Sequence, residues 1–84
     1  MSDTVSDREL LDLLLAVGAD RAITVADFDR SFEELELDSL ARAEFAAKLQ
    51  KHSGVDAEDR TGPDATPNEI RRFVAAAQLA DSGR

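Results

Sequence analysis

The sequence predicts an all-α domain: a small up-and-down helical bundle of three main helices plus a short irregular helix, with a long loop between helices 1 and 2. Three observations carry this. The apolar residues, 43% of the chain, are mostly Ala, Leu and Val, with four Phe and no Trp or Tyr. Strand formers are therefore sparse. Three runs place apolar residues at helical spacing behind a capping residue, and Gly18, Gly54 and Gly62-Pro63 stand between them. At 84 residues there is room for one small core, so 1–84 reads as a single domain with an ordered core of about 6–80.

Residues 1–5 are expected to fray. Ser6 or Asp7 caps the first helix, and Glu9 stands where it closes a capping box with Ser6. From Arg8 to Val17, Leu10, Leu14 and Val17 share one face, which Leu11 and Leu15 widen. Gly18 ends the helix. Residues 20–38 form a long connection rich in acids (Asp20, Asp27, Asp29, Glu33, Glu34, Glu36, Asp38). Ile23, Val25, Phe28, Phe32, Leu35 and Leu37 are spread through it. So many large apolar groups predict a loop folded back on the helices. Ser31-Phe32-Glu33-Glu34 has the pattern that starts a helical turn. Loops of this length are uncommon and often functional.

The second helix is predicted from about Ser39 to His52. Phe45 and Leu49, with Ala41 and Ala46, are assigned to the core. Leu40, Ala43 and Ala47 lie on another face, which predicts a surface offered to a partner. Arg42, Lys48 and Lys51 flank that face against one acid, Glu44. Gly54 supplies the left-handed stop. Val55 anchors the next connection, and Ala57-Glu58-Asp59-Arg60 forms the short irregular helix. Thr66-Pro67-Asn68-Glu69 is the clearest local signal in the chain: an N-cap, a proline at the first helical position and a closing glutamate. The last helix sets Ile70, Phe73, Val74 and Ala77 on one face and Arg71, Arg72 and Gln78 outside, and 81–84 fray.

Net charge is −8, and it is unevenly placed. Residues 1–40 hold 11 acids against Arg8, Arg21 and Arg30, whereas residues 41–84 hold 7 of each sign. Nucleic acid is a poor partner for such a chain, because phosphate binding needs a basic patch. A basic protein surface suits the acidic half. Without cysteine there is neither disulfide nor Cys-ligated zinc. The acidic loop has no calcium-loop spacing, so no metal site is expected. No run is long enough to span a membrane, and Met1-Ser2-Asp3-Thr4 lacks the basic and apolar regions of a signal peptide, so the expected compartment is the cytoplasm.

The chain is organised around Asp38-Ser39-Leu40. The acidic loop ends there and a strong helix former begins at once. This puts a serine at a helix mouth, where unpaired N–H groups and the positive dipole end favour a phosphate. Taken alone, Asp-Ser before a helix is ordinary capping. Taken with the layout from Glu9 to Val74, it resembles an acyl carrier protein. That family has an apolar first helix, a long loop, Asp-Ser-Leu opening helix two, and a Thr-capped last helix after a short irregular third.

The resemblance implies that Ser39 carries a covalent 4′-phosphopantetheine, attached by a phosphopantetheinyl transferase, whose thiol holds acyl groups as thioesters. It implies that Asp38 orients the group and the helix start. Leu40, Ala43, Glu44 and Ala47 would contact partner enzymes: acyltransferase or ligase, ketosynthase or other acyl-processing enzymes. The charge split adds Arg42, Lys48 and Lys51 to that surface. The expected protein is a monomeric, non-catalytic shuttle with no catalytic base. His52, the sole histidine, is placed in a capping or solvated role at a helix end. Two departures from the family matter. Glu36 stands where many members have Gly, and helix two is basic where fatty-acid carriers are acidic. The second favours polyketide or other specialised-metabolite assembly. The alternatives are an aminoacyl or peptidyl carrier of a nonribosomal pathway, and a cofactor-free helical adaptor.

Overall fold

The computed structural model describes residues 5–82, so expectations for 1–4 and 83–84 lie outside the described residues. Its elements are α1 (Asp7–Ala16), a 3₁₀ helix (Val25–Asp29), α2 (Ser39–Ser53), a second 3₁₀ helix (Glu58–Arg60) and α3 (Pro67–Ser82). Helix α1 packs on α2, and α3 packs on the first 3₁₀ helix.

Helix α1 starts on the expected box. Ser6 Oγ accepts from the Glu9 N–H at 3.1 Å, and Glu9 Oε1 accepts from the Ser6 N–H at 2.9 Å. That N–H is the main reason the Glu9 carboxyl is held below its ordinary pKa, and His52 lowers it further. Gly18, at φ +104°, turns the chain out of the helix. Leu10, Leu14 and Val17 are buried as expected. The stripe widens toward Leu13 instead of Leu15: Leu11 and Leu13 pack against the core, while Leu15 lies past its edge and is exposed. Val5 is a second correction. It was expected to fray, yet it is 2% exposed. It precedes the cap, and Leu10 lies four positions into the helix, the two places that a hydrophobic staple pairs.

The long connection folds back. Ile23, Phe28, Phe32 and Leu37 are buried and Leu35 packs against them, while Val25 stays exposed. Phe28 sits in a 3₁₀ helix that the sequence reading missed, whose start is held by the Thr24 N–H donating to Asp27 Oδ2 at 3.0 Å. The Ser31–Glu34 box forms with bonds of 3.0 and 3.1 Å. It starts a single turn, which ends at Glu36 with φ +63°. The loop is stitched to the second connection: Phe32 N–H donates to the Ala65 carbonyl at 2.8 Å and Glu33 N–H to that of Pro63 at 3.0 Å. The radius of gyration is 12.0 Å. That matches the roughly 12 Å of a compact chain of this length, so the loop adds no bulk of its own.

Helix α2 runs one residue past His52 and stops at Gly54, φ +81°. Its core residues are Phe45, Ala46 and Leu49. The rings of Phe45 and Phe32 are 5.4 Å apart and tilted by 58°. Such aromatic contacts add about 0.5–1.5 kcal/mol beyond area burial. Helix α3 opens on the Thr66–Glu69 box, with both bonds at 3.1 Å. It continues to Ser82, through residues 81 and 82 where fraying was expected.

Two of its side chains are not outside. Arg71 is half-buried: it pairs with Asp7, donates to Asn68 Oδ1 at 2.8 Å and stacks 5.6 Å over the Phe28 ring. Asn68 in turn donates to Asp29 Oδ1 at 2.8 Å, so one polar seam joins α1, α3 and the first 3₁₀ helix. Gln78 donates to the Ser53 carbonyl at 3.2 Å and closes the end of α2. In both cases the packed neighbour supplies a partner that helical periodicity cannot foresee.

The core assignment has a direct test. Phe45→Ala is expected to cost about 3–5 kcal/mol, as buried aromatic truncations do. Leu40→Ala should stay within about 0.5 kcal/mol, as surface changes do. Denaturant melts giving equal losses would mean that α2 is rotated about its axis.

Candidate functional site

The site is the start of α2. The loop arrives through Leu37, which is buried and whose N–H donates to the Phe32 carbonyl at 3.0 Å. Asp38 is the N-cap, in extended backbone (φ −77°, ψ −177°), and its Oδ1 accepts from the Ala41 N–H at 2.8 Å. Ser39 is the first helical residue and is exposed. Asp38 satisfies the N–H of the third helical position. Those of Ser39 and Leu40, at the first and second, have no intrahelical acceptor, as at any helix start. Leu40 beside them is 67% exposed.

These residues fit a phosphodiester on the serine. Ser39 is exposed, and two N–H donors and the positive dipole end stand next to it. Of the residues expected to meet a partner, Leu40, Ala43, Glu44, Ala47, Lys48 and Lys51 are all exposed. Their spacing sets Leu40, Ala43 and Ala47 along one stripe with Glu44 and Lys51 beside it.

Arg42 does not belong to that face. It is half-buried, and its Nη1 donates to the Leu37 carbonyl at 3.0 Å. Arg42, Phe45 and Leu49 stand at i, i+3 and i+7, so Arg42 shares the core-facing side of α2. That spacing was readable in the sequence, but the charge alone assigned the residue to the rim.

His52, in the last turn of α2, has Nε2 3.2 Å from Glu9 Oε2, a link between the two helices remote from Ser39. The acidic loop borders a hollow of about 400 Å³ floored by Ile23 and Leu35 and rimmed by Asp20, Asp27, Arg30, Glu34 and Glu36. Arg30 lies 3.5 Å from Asp27. Among the described residues no three acids or histidines are grouped to hold a metal ion. None of the described helices is long and apolar enough to cross a membrane.

The family sequence model described as phosphopantetheine attachment site matches residues 8–73. The chain belongs to that family. No curated protein and no solved structure matches it. Membership implies a covalently attached 4′-phosphopantetheine and makes the protein a phosphopantetheine carrier, which sets aside the cofactor-free adaptor. Carrier domains of this family work with phosphopantetheinyl transferases and acyl-processing enzymes.

One strained backbone position lies just before the site. Glu36, where the resemblance leads one to expect Gly, sits at φ +63°, in the left-handed region. A side chain there costs about 1–2 kcal/mol, and glycine escapes that cost at the expense of about 0.5–1 kcal/mol of chain entropy. Glu36→Gly should therefore stabilise the domain by about 0.5–1 kcal/mol. Thermal melts give the answer, with Glu36→Val as the opposite arm. A β-branched residue belongs there still less and should lower the midpoint.

Proposed function

We propose that Ser39 is the attachment point and that the protein carries acyl intermediates as thioesters for polyketide or related specialised-metabolite assembly. The observation that carries the first part is the placement of Ser39: first residue of α2, exposed, behind a carboxylate cap bound to Ala41. In the modification, Ser39 Oγ forms a bond to the phosphorus that bears pantetheine in coenzyme A. The anhydride bond of that phosphorus breaks, and the nucleotide leaves with the electron pair. The Oγ proton goes to a base of the transferase. The chain's one histidine is out of reach: His52 is 13 residues further along α2, roughly 20 Å away at 1.5 Å per residue. On this reading the protein is a non-catalytic substrate shuttle that works in the cytoplasm with its partner enzymes.

The pathway reading rests on the surface of α2. Lys48 and Lys51 are exposed there against Glu44 alone, unlike the acidic helix of fatty-acid carriers. The stripe of Leu40, Ala43 and Ala47 is the apolar centre of the docking surface, and Lys48 and Lys51 its charged edge. Partner enzymes should then present acids to α2 and bases to the loop. An aminoacyl or peptidyl cargo would use the same arm and the same serine.

Incubation with coenzyme A and a broad-specificity transferase should add one phosphopantetheine by intact mass, and Ser39→Ala should add none. A folded wild type left unmodified by an active transferase would refute the assignment.

The second test concerns partner choice. Reversing Lys48 and Lys51 to Glu should slow acyl loading by the cognate enzyme. The effect should be greater at low salt, since rim charges steer encounter and are screened as salt rises. The fold should survive, because surface ion pairs are worth about 0–1 kcal/mol. Loading as fast as wild type at low salt would remove the argument from charge.

A further inference from the structure

We infer that Arg42 is a positioning residue for the modification of Ser39: by holding the Leu37 carbonyl it fixes the segment that presents the serine. The inference rests on Ser39 being the attachment point. Arg42 lies on the core-facing side of α2, three residues after the serine, and reaches back across the helix start to Leu37. The bond, at 3.0 Å, is charge-assisted and half-buried, the setting in which hydrogen bonds are strongest. It therefore ties the last loop residue before the cap to the helix that follows.

Besides the first bond of the helix itself, Arg42 N–H to the Asp38 carbonyl at 2.9 Å, three contacts bracket Ser39. Leu37 N–H is held by the Phe32 carbonyl, Leu37 carbonyl by Arg42, and Asp38 Oδ1 by the Ala41 N–H. The first and third fix the loop and the cap separately. The Arg42 contact joins the two. The residue before Leu37 is Glu36, held in a left-handed conformation that a glutamate does not favour. Without the guanidinium, this strained segment loses the tie that sets its angle to α2. The Ser39 hydroxyl must lie in line with the breaking anhydride bond, and misplacement by about 1 Å can cost a hundredfold in rate.

The kinetic signature separates positioning from steering. A residue that orients the reacting hydroxyl affects turnover. A surface charge that guides encounter affects KM for the carrier, in a salt-dependent way. Arg42→Met keeps the stem and removes the donor. With purified transferase and coenzyme A, it should lower kcat about tenfold and leave KM for the carrier within about twofold, at both low and high salt. Arg42→Lys keeps one charged donor and should recover part of the loss. Hydrogen exchange at the Asp38 to Ala41 amides should speed up in Arg42→Met, with exchange in the core of α3 unchanged.

Wild-type kcat in a folded Arg42→Met would overturn the inference, as would a raised KM that vanishes at high salt. If Arg42→Met does not fold, the decision passes to Arg42→Lys. Reduced kcat at unchanged KM supports positioning, and unchanged kcat refutes it. Mass analysis of the wild type keeps this apart from the assignment of Ser39, since a wild type modified elsewhere would sink that assignment whatever Arg42 does.

Discussion

Everything in this domain depends on Phe32 being buried from within a loop. Burying a side chain takes its backbone polar groups out of water, and each then needs a partner. Phe32 N–H finds the Ala65 carbonyl and the Glu33 N–H that of Pro63, while the Phe32 carbonyl takes the Leu37 N–H. The two long connections are therefore fastened to each other, and the ring is left facing Phe45. Three helices of 10, 15 and 16 residues would enclose little core by themselves. With Phe28, Phe32, Ile23 and Leu37 the loop supplies much of what they enclose. A chain of 84 residues has little other apolar volume to spend on stability.

Polar seams do the orienting. Asp7, Arg71, Asn68 and Asp29 link α1, α3 and the first 3₁₀ helix, and Glu9 and His52 link the ends of α1 and α2. Exposed pairs of this kind add little to stability, about 0–1 kcal/mol each. Their value is geometric: they select one rotation of each helix among those that bury similar apolar area. Arg71 goes further because its guanidinium also lies over Phe28. A cation set over a ring face in this way is attracted by the ring's negative face.

Local signals in this sequence were reliable and long-range ones were not. The boxes at Ser6, Ser31 and Thr66, the stops at Gly18 and Gly54, and the core positions of α2 all follow from spacing within a few residues. The serine at the helix mouth and the exposed stripe beside it were legible for the same reason. The errors have several causes. Arg71 and Gln78 were placed by their neighbours in sequence, but their partners come from distant segments. Val5 was placed by its nearness to the terminus, although it stands where a hydrophobic staple pairs with Leu10. The 3₁₀ helix at Val25–Asp29 was missed because Asp27, and not Glu or Gln, closes its start. Arg42 was misplaced by ranking charge above periodicity, although its spacing to Phe45 and Leu49 pointed inward.

With Ser39 as the proposed attachment point, a stiff mount would carry a long prosthetic arm, and the two properties would serve each other. A tethered group gains effective concentration from its reach, so the arm benefits from flexibility. The protein end gains nothing from it. Any disorder at the helix start must be removed again each time a transferase or partner enzyme docks, and that ordering weakens binding. Here the buried Leu37, the capping Asp38 and the inward Arg42 fix the backbone from behind. Ser39 and Leu40 stand outside the packing in front of them. The strained Glu36 sits at the same junction, just before the residue that Arg42 holds. The support of the proposed attachment point is thus built from loop and helix together, so the long acidic connection holds the start of α2 as well as filling the core.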